Sequence, residues 1–515
     1  MRRLAVVGLI TSFLLSMTLA FSGPAWAADI TVTVNGTLLA FDVPPVIVDG
    51  RVLVPLRVTF EALDASVGWD AATSTITAVR GDTTIRLEIG SQTAYVSGEP
   101  VTLDVPAQIR DGRTLVPLRF VAEALGAAVA WDGAALSITI TASVPALVSP
   151  EGVCLAAGSV HGLAVAADGT VWAWGHNFDG QLGDGTTTNR STPVQVPGLA
   201  DVVAIAGGFK HTIALRRDGT VWAWGDNEFG QLGDGTTTDR STPVQVPGMA
   251  DVVAIAGGFK HTLALRRDGT VWAWGHNYLG QLGDGTKTSR STPVQVQGMT
   301  DVVAVAGGDH HTVALRGDGT VWTWGWNLWG QLGDGTYGTG TDRSSPVQVQ
   351  GMADVVAVSG GVCQTLALRG DGTVWAWGLT SSVIVPGETD DETDDETAVG
   401  LSTPVQLQGL ADVVAIAGGN WYMIALCRDG TVWAWGANVS GQLGDGTLIN
   451  RSIAVQVQGL TDVVAIAGRF WHAMALRDDG TVWAWGWNAE GQLGDGTTTD
   501  RLTPVQVQGL PDIGP

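Results

Sequence analysis

The residues from about 151 onward predict a mainly β architecture, a seven-bladed β-propeller, and the residues ahead of them predict a small α+β domain made of two repeats. Three observations carry this. The phrase Asp-Gly-Thr-Val-Trp-x-Trp-Gly recurs seven times, beginning at Asp168, Asp218, Asp268, Asp318, Asp371, Asp429 and Asp479. Each unit holds four short apolar runs bounded by turn residues, which read as strands. Upstream, VDGRVLVPLRVTFEALDASVGWD at 48–70 returns as RDGRTLVPLRFVAEALGAAVAWD at 110–132. A four-stranded unit cannot bury both faces alone, whereas seven stacked radially around an axis do so and leave only short edges.

The first segment, 1–27, reads as a secretory signal. Arg2 and Arg3 precede an apolar run from Leu4 to Phe21, and Ala25-Trp26-Ala27 has the small-x-small pattern of a cleavage site. The expectation is a mature chain starting at Ala28, secreted, with no membrane span after cleavage and a monomeric state. The formal net charge of −23 argues against nucleic acid and against an anionic membrane surface as partners. The three cysteines, Cys154, Cys363 and Cys427, fall at different heights on different units, so no disulfide is expected.

In the 28–141 domain each copy of the repeat reads as strand, Asp-Gly turn, Val-Pro-Leu-Arg step, one short helix, then strands. The helix is expected to stop near Asp64 in one copy and at Gly126 in the other. TTIRLEIG and TAYVSG between them look like a hairpin. This paired motif resembles the copper amine oxidase N-terminal-like domain, which implies a stalk module. No histidine precedes His161, and Asn277-Tyr278 is followed by Leu279 inside a later repeat, so no copper or other cofactor is expected. The Pro-containing stretch 142–152 reads as a linker.

The propeller is expected to span 153–515. In its second unit the runs are A (Val202 to Ala206), B (Thr212 to Leu215), C (Val221 to Trp224) and D (Val244 to Val246). Asp218-Gly219 predicts a tight B–C turn with φ > 0 at both positions. Pro243 opens D, which suits an outer edge. Trp222 and Trp224 share one face of C and are expected to pack between neighbouring units. The pattern (I/V)A-x-G-x-x-H-(T/S)-x-A-L followed by D-G-x-V-x-x-W-G-x-N-x-x-G-Q-L-G, over 151–511, resembles the regulator of chromosome condensation repeat family, which implies a seven-bladed propeller. Unit five departs, because an acidic insert replaces the Asn and the Gly-Gln-Leu-Gly segment after Trp377-Gly378. The last unit runs through PVQVQGL, so the first and last blades can meet.

Candidate chemistry is thin. His161, His211, His261, His310, His311 and His472 sit near the start of B, but Gln364 and Tyr422 break the series, which favours a structural role over a metal ring. GETDDETDDET at 387–397 has no ordered calcium-loop spacing, and the recurring LGDGTTTDR reads as turn chemistry. Neither a catalytic triad nor a phosphate cradle is present in recognisable form. The chain is therefore expected not to be an enzyme.

One inference comes from comparing the units with each other. In an antiparallel A-B-C-D sheet the A–B and C–D connections emerge at one end. The B–C and D–A turns barely change between units, whereas the A–B and C–D connections vary and carry the non-repeat aromatics. Phe178, Phe209, Phe229, Phe259, Tyr278, Trp326, Trp329, Trp421, Phe470, Trp471 and Trp487 all fall at that end. Aromatic anchors of this kind mark interfaces. The expectation is a binding protein recognising an extracellular protein or a cell-wall polymer. The alternatives are an inhibitor resembling the propeller-type β-lactamase inhibitory proteins, and a catalytic propeller acting on polysaccharide.

Overall fold

The computed structural model describes residues 30–513, apart from 35–36, 64, 71–72, 81–82, 111–112, 126, 133–135, 143–154 and 381–398. The signal segment 1–27, Ala28, Cys154, the acidic insert 387–397 and all but the first residue of the 142–152 linker lie outside the described residues. The chain divides into two compact units, Met1–Ala142 and Ser143–Pro515.

In the first unit, β1 (Thr31–Val34), β2 (Thr37–Leu38), β3 (Val46–Val48), β4 (Arg51–Pro55), α1 (Leu56–Glu61), β5 (Ser66–Asp70), β6 (Thr75–Arg80) and β7 (Thr83–Glu88) are followed by β8 (Thr93–Val96), β9 (Glu99–Thr102), β10 (Gln108–Arg110), β11 (Arg113–Pro117), α2 (Leu118–Ala124), β12 (Ala127–Asp132) and β13 (Ser137–Ala142). Both helices start directly after a proline whose fixed φ suits a helix entrance, Pro55 and Pro117. The short helices bury Phe60 and Val121 in a core shared with Ile76, Ile85 and Ile138. The expected β7–β8 hairpin forms. The two repeats exchange partners: β1 pairs parallel with β13, so the first repeat's opening hairpin completes the second repeat's sheet, in the order β12-β13-β1-β2. Conversely, β8 and β9 complete the sheet begun by β5 and β6. A third sheet joins both copies, with Val54 opposite Val116.

The second unit is seven four-stranded antiparallel sheets, each ordered A-B-C-D. The A strands pack on each other in succession, and that of blade 7 packs on that of blade 1, closing the ring. Blade 2 shows the pattern: A Val202–Gly207, B His211–Arg216, C Val221–Gly225, D Arg240–Gln245.

Two expectations about the turns and edges are corrected. In the B–C turn only Gly219 has positive φ; Asp218 does not. The Gly219 N–H donates to Arg216 O at 2.9 Å and the Arg216 N–H to Thr220 O at 3.0 Å, a four-residue turn closed by a left-handed glycine. The aspartate is needed for its carboxylate, which accepts from the Thr220 N–H and hydroxyl at 3.0 and 2.6 Å. Strand D begins at Arg240, so Pro243 lies inside it. D is an outer edge, and a missing N–H there costs no ladder bond. The monotonous D–A turn has its own cause, since Asp201, Asp251, Asp301, Asp354, Asp412 and Asp462 all sit at positive φ, which aspartate tolerates better than most side chains.

The tryptophan pairs are the blade-to-blade cement. Trp224 is fully buried and Trp222 packs with it against blade 1. The Trp224 Nε1–H donates to Gln181 O of the preceding blade at 2.9 Å, and the same bond recurs from Trp274, Trp324, Trp377, Trp485 and Trp174. The one from Trp174 reaches Gln492 O, across the seam between blades 1 and 7. Trp435 breaks the series: blade 5 lacks the Gly-Gln-Leu-Gly loop, and the buried Trp435 Nε1 has no acceptor among the described residues.

Closure of the ring rests on a signal that sequence reading passed over. GLPDI at 509–513 repeats the start of the GLADV linker at 198–202. Asp512 O accepts the Ala167 N–H at 3.1 Å, as Asp201 O accepts the Arg217 N–H. Ile513 is buried among Leu155, Met474 and Val507. Residues 509–513 thus give blade 1 the linker that every other blade receives from its predecessor.

Candidate functional site

Strand alternation and the A-B-C-D order place the A–B and C–D connections at one end of the propeller. The C–D loop is built around a buried asparagine. In blade 2, Asn227 Nδ2 donates to Thr238 O at 3.0 Å, while Asn227 Oδ1 accepts the Leu232 N–H at 3.0 Å. Asp234 Oδ2 is gripped by Arg240 Nε and Nη2 at 3.0 and 2.8 Å, and its other oxygen takes the Thr236 N–H and hydroxyl. These carboxylates are internally neutralised, which accounts for the LGDGTTTDR repeat without a cation. No group of three or more metal-type side chains is assembled among the described residues.

The histidines at the start of B in blades 1 to 4 are structural cement of a second kind, whereas both ring nitrogens of His472 are buried without a partner among the described residues. Thr212 Oγ1 donates to Gln181 O at 2.8 Å, so the bond of 3.0 Å between Thr212 Oγ1 and His161 Nε2 uses the imidazole N–H. His211, His261 and His311 repeat the arrangement toward Thr262, Thr312 and Thr365. Burial keeps each imidazole neutral, with Nδ1 buried and unpaired among the described residues. Burial holds His211 and His311 down at about 3. His310 differs: it precedes the first residue of B and sits half-buried in the A–B turn, so it belongs to the variable face.

At that face the A–B turns form an annulus of backbone bonds about the axis. The Phe209 N–H donates to Phe259 O, Phe259 N–H to Asp309 O, Asp309 N–H to Gly361 O, Asn420 N–H to Phe470 O and Ser159 N–H to Gly208 O, all within 2.7–3.2 Å. The annulus surrounds one mouth of an axial channel of about 450 Å³ lined by the seven A strands. Across this mouth lies Arg469, where blades 2 to 6 have glycine. Its Nη1 donates to Gly257 O at 2.7 Å, its Nε to Ser159 Oγ at 3.4 Å, and its Nη2 faces Asp309 Oδ1 at 3.5 Å. Both side chains are nearly enclosed, 13% and 10% exposed. Burial pushes the Asp309 carboxyl up to about 6 despite the arginine, and the neighbouring Cys363 thiol up to about 12. Sequence reading missed this pair, although an arginine in a glycine column was a visible signal.

The predicted aromatics form a nearly continuous stack around the mouth. Trp487 meets Trp471 at 6.0 Å between centroids, Trp471 meets Phe470 at 4.8 Å, Phe470 meets Phe209 at 6.3 Å, and Phe209 lies on Phe259 at 4.1 Å. Phe259 continues to His310 and on to Trp326, and a branch through His276 reaches Tyr278 and Phe229. Mutual stacking leaves most of these rings half-buried. Phe178, Tyr278 and Trp421 are exposed, at 68%, 61% and 42%. Phe178 touches only His176 within this set. Trp329 and Trp421 stand apart from the stack, Trp329 with its backbone against Gly400. Trp421 and Phe470 have φ of 58° and 51°, a conformation costly for bulky residues and found chiefly where function demands it. Charge pairs link adjacent blades on this face, Lys210 with Asp179 and Lys260 with Glu228.

A family model for the RCC1-like domain matches residues 123–399, more than half of the chain. The chain belongs to this family. Models of the regulator of chromosome condensation repeat match 429–476 and 479–513, and the copper amine oxidase N-terminal domain matches 33–140. Among curated proteins, human E3 ubiquitin-protein ligase HERC2 is 33% identical over 117 residues, 21% of this chain and 2% of that protein. The mouse regulator of chromosome condensation is 34% identical over 106 residues, 19% of this chain and 22% of that one. The chain therefore spans only a small part of these relatives. Among solved structures, Prp20p from Saccharomyces cerevisiae superposes with a TM-score of 0.59 at 24% identity, covering 67% of this chain and 88% of that one, a likeness of fold. Human WBSCR16 superposes with a TM-score of 0.57 at 25% identity, covering 66% and 94%. No helix among the described residues is long and apolar enough to cross a membrane.

Proposed function

We propose that this RCC1-like chain works outside the cell as a non-catalytic recognition module, carried on its N-terminal stalk and presenting the A–B/C–D end to an extracellular protein or wall polymer. The observation that carries the reading is the aromatic stack around the axial mouth, with Phe470 and Trp421 held in left-handed backbone. Aromatic rings collected at one end, flanked by exposed Phe178 and Tyr278, bring contact area at low entropic cost. The signal-like N-terminus and the acidic balance support an extracellular setting. The LGDGT carboxylates and the histidines of blades 1 to 4 are bonded within and between blades, which supports a structural role for them.

The test is affinity capture from culture medium and wall preparations with the full chain, comparing the parent with a Trp329→Ala, Trp421→Ala double variant. The expected result is loss of the retained material with an unchanged melting temperature. Undiminished retention by the folded variant would remove these residues as anchors, and turnover of a polysaccharide by the parent would replace the reading with catalysis.

A further inference from the structure

The A–B ends of blades 4, 6 and 7 hold buried polar atoms left without hydrogen-bond partners among the described residues. Among the described residues, Trp471 Nε1, Asn420 Oδ1 and His310 Nδ1 are enclosed and have no hydrogen-bond partner, and Arg469 Nη2 has only its 3.5 Å ion pair with Asp309. His310, Asn420 and Trp471 lie on A–B turns of blades 4, 6 and 7, Arg469 ends strand A of blade 7, and the carboxylate of Asp309 faces Arg469. Beside them are the rings of Phe209, Phe259 and Phe470. Native interiors leave few such groups unpaired, and a cluster of them calls for a specific cause.

The chemistry of the cluster narrows what can fill it. A wholly apolar side chain would cover the rings but leave each polar atom unpaired, at about 1–3 kcal/mol apiece. A phosphate or carboxylate would answer Arg469 and Trp471 and be repelled by Asp309. An ammonium group would answer Asp309 and Asn420 and be repelled by Arg469. A neutral polyol answers both sets, because each hydroxyl both donates and accepts, and the C–H face of a pyranose lies flat on an aromatic ring. We propose that the axial mouth is a subsite for a neutral sugar residue, stacked on the Phe209–Phe259–Phe470 rings and hydrogen-bonded to Asp309, Asn420, Arg469 and Trp471. This rests on the recognition reading only in taking the A–B end as the binding end, and it commits that reading to a glycan.

The probes are chitotetraose, maltotetraose, xylotetraose and mannotetraose, with inorganic phosphate and butylamine as charged controls, followed by saturation-transfer NMR on the full chain. At least one tetrasaccharide is expected to receive saturation. Its affinity should fall about tenfold or more, a change of about 1.4 kcal/mol, in Asn420→Ala and in Phe259→Ala, and stay unchanged in Ile453→Ala, at an exposed side chain on an outer D strand. Trp471→Phe, which removes the Nε1–H and contracts the indole to a phenyl ring while keeping an aromatic face toward Phe470, keeps the test decisive if Asn420→Ala does not fold. Binding of none of the four, binding of phosphate or butylamine alone, or sugar binding indifferent to Asn420, Phe259 and Trp471 overturns the proposal. Capture of a protein that persists in Phe259→Ala and is not displaced by any sugar would overturn the subsite and leave the recognition reading standing.

Discussion

If residues 509–513 close the ring by supplying blade 1 with its missing linker, removing them should open one seam and no other. The structure sets the size of the effect. Ile513 is 1% exposed and packs among Leu155, Met474, Leu476 and Val507, and burying such a side chain contributes about 1.5–3 kcal/mol. The Ala167 N–H loses Asp512 O as its acceptor. Ala167 is itself exposed, so water replaces that acceptor and the loss is only about 0.5–1.5 kcal/mol. A chain ending at Gln508 should therefore be less stable by about 2–4.5 kcal/mol, a large fraction of the 5–15 kcal/mol typical of folded domains. Urea denaturation followed by tryptophan fluorescence reads this as a lowered midpoint. Ile513→Ala should account for most of it, because the cavity would open between blades 1 and 7. A truncated chain within about 0.5 kcal/mol of the parent, the range of an inert surface change, would refute this account of closure.

Other outcomes follow from the same geometry. Trp435→Phe should cost about 0.5–1.5 kcal/mol less than Trp224→Phe, because only Trp224 Nε1 has an acceptor to lose; equal costs by denaturant titration would show that the indole bonds are not what joins the blades. His211 is fully buried and held down at about 3. The unfolded chain therefore binds a proton there that the folded chain refuses, and stability is present above about 6.5 and lost as pH falls toward 3, at about 1.4 kcal/mol per pH unit. His211→Gln, the residue blade 5 uses at Gln364, should lower the pH slope of stability between 6 and 4 by about one proton; an unchanged slope from denaturation series would mean the imidazole is charged when buried. Finally, Phe178→Ala and Tyr278→Ala, at exposed rings, should leave the melting temperature within about 1–2 °C of the parent while weakening capture from culture medium; unaltered retention would exclude these two rings from the contact.

The blades were readable in the sequence because their determinants are local and repeated. Two tryptophans at period two, a glycine that must turn left-handed and a proline confined to an edge report on their own neighbourhoods. What sequence reading misplaced was geometry one step removed. Asp218 looked like a residue chosen for its backbone angle, yet it is kept for two hydrogen bonds to Thr220. Strand D looked three residues shorter because Arg240, Ser241 and Thr242 are polar, but an outer edge needs little apolar character. The histidine column looked uniform, and His310 and His311 are adjacent in sequence, yet the strand register puts His311 opposite Gly325 and leaves His310 in the turn above.

The features hardest to read were departures from the repeat, and these are where the candidate site lies. A residue that breaks a column has no partner in its own unit; its partners come from blades far away in sequence. Arg469 replaces a glycine in blade 7 and finds Gly257 in blade 3, Asp309 in blade 4 and Ser159 in blade 1. Only radial assembly brings these together, so their meeting at one mouth is a property of the ring and not of any unit. The same logic separates drift from design. A loop substitution that merely drifted would leave its side chain in solvent, where a polar atom costs nothing. Asn420 Oδ1 and Trp471 Nε1 are instead enclosed without hydrogen-bond partners among the described residues, beside rings whose backbone at Phe470 is held left-handed. Unpaired polar atoms and backbone strain both destabilise the free protein, and a bound partner that satisfies the first offsets the cost of keeping the second.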